Sequence, residues 1–152
     1  MASAQAFMTY WMLRLLVKPQ IARRWGSQSL DEQRCGYERT AQRWGKLVPG
    51  AQVEPITIGL MDAERVVPLS AKPDRALLWF FGGGYRTGSP ATERSLASRI
   101  ADPLHAYALL PAYRLCPEHP LDASLQDALT AYQWLRDQVG CRRAKVRPGP
   151  AD

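Results

Sequence analysis

Six consecutive apolar residues, Ala76-Leu77-Leu78-Trp79-Phe80-Phe81, run without a break into Gly82-Gly83-Gly84. A run that long with no polar alternation is the pattern of a strand buried on both faces, as in a parallel sheet covered by helices. The segments that follow agree. A helix is predicted from about Thr92 to Ala101, with Leu96 and Ile100 on one face. Tyr107 to Tyr113 reads as a second short apolar strand, weakened at its end by Pro111. Leu121, Leu125, Ala128, Tyr132 and Leu135 recur at a 3.6-residue period and mark another helix. Strand, glycine loop, helix, strand, helix is a βαβα unit, which predicts an α/β chain with a mostly parallel sheet.

Upstream the pattern is different. Ala6 to Lys18 is apolar nearly all round and is closed by Pro19. Such a helix needs cover on several sides or a membrane surface, and packing over the rest of the protein is expected. Ser29-Leu30-Asp31-Glu32 is a capping-box pattern, and Leu30, Tyr37, Ala41 and Trp44 continue a helix to about Lys46. Pro49-Gly50 is a breaker. Val53, Pro55 and Thr57, then Arg65 to Leu69, read as a hairpin turning near Met61 to Glu64. Residues 1–48 are therefore expected to form a helical segment and residues 49–139 the α/β core. Residues 140–152 are expected to be an irregular basic tail, since four basic residues and two prolines stand where a buried strand is due.

Charge is unevenly placed along the 152 residues. Residues 1–50 hold eight Lys/Arg against three Asp/Glu, residues 51–139 eight against ten, and residues 140–152 four against one. The middle is slightly acidic, which argues against nucleic acid as a partner. Cys35, Cys116 and Cys141 are odd in number and widely spaced, with neither a disulfide nor a zinc pattern, and fit a reducing, cytoplasmic compartment. With only His105 and His119 available, no metal is expected. No apolar stretch has the roughly 18–20 residues of a spanning helix, and no signal peptide is recognisable.

Three glycines after a buried strand let backbone N–H groups turn toward a ligand. Two chemistries use such a loop: phosphate binding in a nucleotide fold, and an oxyanion hole that receives the charge of a tetrahedral intermediate. The dinucleotide fingerprint needs G-x-G-x-x-G and an acid about 20 residues on. Gly82, Gly84 and Gly88 give a spacing one residue too long, and the next strand ends Ala112-Tyr113-Arg114 without an acid.

Three segments stand in order: Phe81-Gly82-Gly83-Gly84-Tyr85-Arg86-Thr87-Gly88-Ser89-Pro90, then Tyr113-Arg114-Leu115-Cys116-Pro117-Glu118-His119-Pro120, then Asp127 to Leu135. Together they resemble the hormone-sensitive-lipase-like branch of the α/β-hydrolases, bacterial esterase family IV, over about residues 8–138. The resemblance implies a truncated α/β-hydrolase fold in which residues 1–48 are the cap. It implies that Gly83 and Gly84 supply oxyanion-hole N–H groups. Gly82 makes the turn, and Phe81 and Tyr85 belong to the supporting loop. Phe81 stands where the family has a histidine that helps hold this loop, and Ala112 and Cys116 depart from the family's Asp and Ala. Tyr113, Arg114, Pro117 and Glu118 match, and are expected to fix the strand-to-helix corner.

The nucleophile of that family lies in G-D-S-A-G, about 70 residues past the glycine loop. No G-x-S-x-G occurs in this sequence, and no counterpart of the triad's acid or base is found. The expectation is the N-terminal half of a carboxylic ester hydrolase, cut short by a stop or frameshift and inactive alone. Its full-length relative would act on a small-molecule ester, without a cofactor. The alternative is a non-catalytic interaction fragment that self-associates through an exposed strand, Ala76 to Phe81.

Overall fold

The computed structural model describes residues 4–19 and 28–146. The chain divides into two compact units, one ending at Cys35 and the other starting at Gly36.

In the first unit, helix α1 covers Ala4–Met12 and passes into a π-helical stretch, Leu13–Val17. Phe7, Met8, Tyr10, Trp11, Leu15 and Leu16 are all exposed. Arg14 donates to the Tyr10 hydroxyl at 2.6 Å, and its guanidinium lies 5.9 Å from the centroids of both the Tyr10 and Trp11 rings. Helix α2, Leu30–Trp44, opens on the predicted capping box. The Glu32 N–H donates to Ser29 Oγ at 3.2 Å, and the Ser29 N–H donates to Glu32 Oε2 at 2.8 Å. This pairing satisfies two of the N–H groups that a helix start leaves without intrahelical partners.

The division falls inside α2 rather than near residue 48. The backbone following that helix is bound to the core: Ser95 Oγ donates to Lys46 O at 2.7 Å, and the Val48 N–H donates to Ser98 Oγ at 3.3 Å.

The second unit is a four-stranded sheet with helices. Strands β1 (Gln52–Ile58) and β2 (Met61–Val67) form an antiparallel hairpin. The hairpin turns at Gly59-Leu60, two residues before the expected Met61, with φ +63° at Gly59. Strand β3 (Ala76–Leu78) is followed by helix α3 (Pro90–Ala101), strand β4 (Tyr107–Pro111) and helix α4 (Leu121–Val146). The strand order is β1-β2-β4-β3. β4 pairs antiparallel with β2 and parallel with β3. The α/β expectation holds, but the pairing is mixed rather than mostly parallel. A two-residue turn can join only antiparallel neighbours, and only β3 and β4 are joined by a helical crossover.

Strand β4 organises the core because all five of its residues are buried. Its side chains alternate between the two faces, as a period of two requires. Tyr107 and Leu109 pack with Ile58, Ala63, Ala131 and Leu135. Ala108 and Leu110 pack with Val66, Ala97 and Ala101. The first face is covered by α4 and the second by α3.

Three further expectations are corrected. Ala76 to Phe81 is not buried on both faces: β3 is an edge strand among the described residues, its side chains are half-buried and Phe80 is 41% exposed. Regular pairing stops at Leu78, with one more ladder bond from the Trp79 N–H to Leu109 O at 2.9 Å. Helix α4 turns Ala123, Ser124, Asp127, Ala131 and Leu135 to the core, while Leu121, Leu125, Leu129 and Tyr132 stay exposed. The small and polar face wins because Ser124 and Asp127 are engaged by Arg114. The expected irregular tail is helical as far as Val146; residues 147–152 lie outside the described residues.

Candidate functional site

The glycine loop leaves the end of β3 and returns at the start of α3. Gly83, Gly84 and Tyr85 have φ of +137°, +61° and +58°. A Cβ on Gly83 would lie 2.1 Å from Thr87 O, so glycine is required there by space as well as by conformation. The loop closes on itself. The Arg86 and Thr87 N–H groups donate to Gly83 O at 3.2 Å each, and Thr87 Oγ1 donates to the same oxygen at 3.1 Å. With the Gly83 carbonyl turned inward, the N–H groups of Gly82, Gly83 and Gly84 have no hydrogen-bond acceptor among the described residues. Helix α3 then starts at once: the Ser89 N–H donates to Thr92 Oγ1 at 3.2 Å, and Pro90 occupies its first turn.

The loop borders a cleft of about 360 Å³ lined by Phe80, Phe81, residues 82–84, Tyr85, Tyr113, Ser124, Leu125 and Ala128. All five residues singled out in the sequence, Phe81, Gly82, Gly83, Gly84 and Tyr85, meet there. The lining is mainly apolar. Its polar groups are the backbone of the loop, two phenols and Ser124.

Phe81 is buried, at 4% exposure, and stacks on Tyr113 with ring centroids 4.2 Å apart and planes 13° off parallel. Tyr113 Oη donates to Phe81 O at 2.6 Å. Burial pushes the Tyr113 phenol up to about 12, with Tyr85 and Glu93 adding to the effect. The loop is therefore held at a position where the side chain itself donates no hydrogen bond. Sequence reasoning assigned Tyr113 to the corner only. The available signal was its place two residues past a buried strand that runs alongside the aromatic run.

The corner is tied to the same site. Arg114 donates from its backbone N–H and from Nε to Asp127 Oδ2, both at 2.9 Å, and from Nη2 to Asp127 Oδ1 at 2.8 Å. Ser124 Oγ donates to Arg114 O at 2.6 Å. The Arg114 hydrogen bonds hold the Asp127 carboxyl below its ordinary value, against the opposing effect of burial. The Cys116 N–H donates to Tyr85 O at 2.7 Å, joining corner to glycine loop.

The serines of the core serve the scaffold. Ser70 Oγ donates to Asp102, Ser95 Oγ to Lys46 O, Ser98 Oγ to Ser95 O and Ser124 Oγ to Arg114 O. Ser89 Oγ is buried without a partner among the described residues. His105 and His119 are exposed, and neither is hydrogen-bonded to a serine among the described residues. The arrangement can stabilise a negative charge at the loop, but these serines and histidines form no nucleophile–base pair.

A family model described as the alpha/beta hydrolase fold matches residues 77–149. An acetyl-hydrolase of Streptomyces hygroscopicus is 36% identical over 134 residues, covering 86% of this chain and 44% of its own length. A probable carboxylesterase 8 of Arabidopsis thaliana is 34% identical over 109 residues, 70% of this chain and 32% of that protein. Among solved structures, an esterase/lipase from an uncultured bacterium superposes with a TM-score of 0.68 at 40% identity, over 74% of this chain and 37% of that one. A hormone-sensitive lipase from a metagenome library gives a TM-score of 0.70 at 31% identity, over 75% and 38%. The chain thus spans less than half the length of these relatives. From the loop, the corner and these likenesses together, it belongs to the hormone-sensitive-lipase-like α/β-hydrolases.

Proposed function

We propose that this chain supplies the oxyanion-binding portion of a carboxylic ester hydrolase that works through an acyl-serine intermediate. The observation that carries the reading is the inward-turned Gly83 carbonyl, which leaves the Gly83 and Gly84 N–H groups without an acceptor beside an apolar cleft. A tetrahedral intermediate places its charge on one oxygen, and preorganised N–H groups lower that barrier without reorganising during the reaction. The cleft suits the apolar acyl or alcohol group of a small ester. The serine nucleophile, its base and the acid come from outside these 152 residues, so the chain by itself hydrolyses no ester. The cysteine usage supports a cytoplasmic setting.

The test is co-production of this chain with the part of a similar esterase that it does not match. Hydrolysis of short acyl esters is expected to appear only with both parts present, and a serine-directed fluorophosphonate to label only the added part. Turnover by this chain alone, with the label on one of its own serines, contradicts the proposal.

A second reading is favoured by the open side of β3. In it the chain is an interaction module whose edge strand and neighbouring α4 face, Leu125, Leu129 and Tyr132, pair with a second copy.

A further inference from the structure

We propose that Tyr113 is the positioning residue of the glycine loop, clamping both of its ends through ring and hydroxyl so that the Gly83 and Gly84 N–H groups stay presented to the cleft. The inference rests on the functional reading above and adds the residue that sets the loop.

Four observations support the clamp. Tyr113 is 8% exposed and lies just past β4, the most buried strand, so its ring starts from a rigid support. Its hydroxyl donates to Phe81 O at 2.6 Å. In a trans peptide the carbonyl and the following N–H point in opposite directions, so fixing Phe81 O also fixes the direction of the Gly82 N–H. The ring reaches both sides of the turn: it stacks on Phe81, and it meets Phe80 and Tyr85 edge-on at 6.1 and 6.4 Å. Finally, the far end of the loop presses on the ring that Tyr113 supports. A Cβ on Gly88, at φ +94°, would lie 2.8 Å from the Phe81 ring and 2.4 Å from Gly82 O.

Phe81 is thus enclosed by Tyr113 and the Gly88 backbone. A flat, non-donating ring suits that slot, and the hydrogen bond the Phe81 side chain cannot make is supplied by the Tyr113 hydroxyl to the Phe81 backbone.

The test uses the full chain, labelled with nitrogen-15. Tyr113→Phe keeps the stack and removes only the hydroxyl. Exchange of the Arg86 and Thr87 amides, which close the loop on Gly83 O, is expected to quicken about fivefold to tenfold, while the Leu110 amide in β4 is unchanged. In a second measurement, 3,5-difluorotyrosine at position 113 brings the phenol's ionisation into the range where the chain is folded. A phenolate cannot donate, so the Gly82 to Tyr85 amide signals are expected to shift with the same midpoint as the fluorine signal. Unchanged Thr87 exchange in Tyr113→Phe, or glycine signals indifferent to the fluorophenol's titration, overturns the clamp. Failure of the oxyanion reading is told apart from this by the two-part esterase: the amide readouts would stand while hydrolysis ignored Tyr113→Phe.

Discussion

At the scale of single residues, the site is built from groups whose ordinary roles are occupied. Ser98 and Ser124 bond carbonyls, the Gly83 carbonyl is taken by Thr87, and Arg114 and Asp127 satisfy each other. Asp127 gives a pH signature. Its carboxyl ionises below its ordinary value because Arg114 donates to it. A carboxyl depressed in the folded state contributes stability above its unfolded value, about 3.9, and loses that contribution as pH falls through the folded value. Acid titration followed by circular dichroism should therefore show Asp127→Asn losing less stability than wild type between pH 5 and the acid limit (roughly the carboxylate range). The variant should also be the less stable of the two at pH 7. Parallel acid curves would mean that the ion pair does not hold the corner.

At the scale of elements, what was legible in the sequence depended on whether one local rule decided the outcome. The capping box at Ser29 and Glu32 was legible because both bonds lie within four residues. The glycine loop was legible because only glycine tolerates its φ values at Gly83 and Gly88. The buried face of α4 was not. Leu121, Leu125, Ala128, Tyr132 and Leu135 made a periodic apolar stripe, yet of these only Leu135 is buried, and the helix turns Ala123, Asp127 and Ala131 inward. Close approach to the sheet favours small residues, and Arg114 recruits Asp127 from 13 residues away. Long-range packing also left the side chains of β3 only half-buried, which the unbroken apolar run of Ala76 to Phe81 did not indicate. An exposed apolar helix face beside an open strand edge promotes association. Leu129→Lys and Tyr132→Lys, at positions 61% and 55% exposed, should thus lower the sedimentation-averaged mass of the chain at a fixed concentration. The core should be unaffected, because neither side chain is in it. By contrast Leu135→Ala, within the core, should cost about 2–5 kcal/mol on denaturant titration. An unchanged mass in both lysine variants would remove the self-association reading.

At the scale of the whole molecule, the buried centre is β4 and its two covering helices, and the glycine loop runs between the end of β3 and the start of α3. Tyr113, Arg114 and Cys116, all just beyond β4, bind that loop or the helix behind it, which ties the sheet to the glycine loop by hydrogen bonds. Among the described residues, no helix is long and apolar enough to cross a membrane. The central claim is that Gly83 and Gly84 present their N–H groups to a developing oxyanion, and steady-state kinetics of the two-part esterase tests it most directly. Gly83→Ala drives a Cβ into Thr87 O and turns the donors away, whereas Gly82→Ala meets nothing within 4 Å. The predicted result is a fall in kcat of about 10²–10³ for Gly83→Ala, with KM little changed, and near-normal turnover for Gly82→Ala. Full turnover by Gly83→Ala would contradict it.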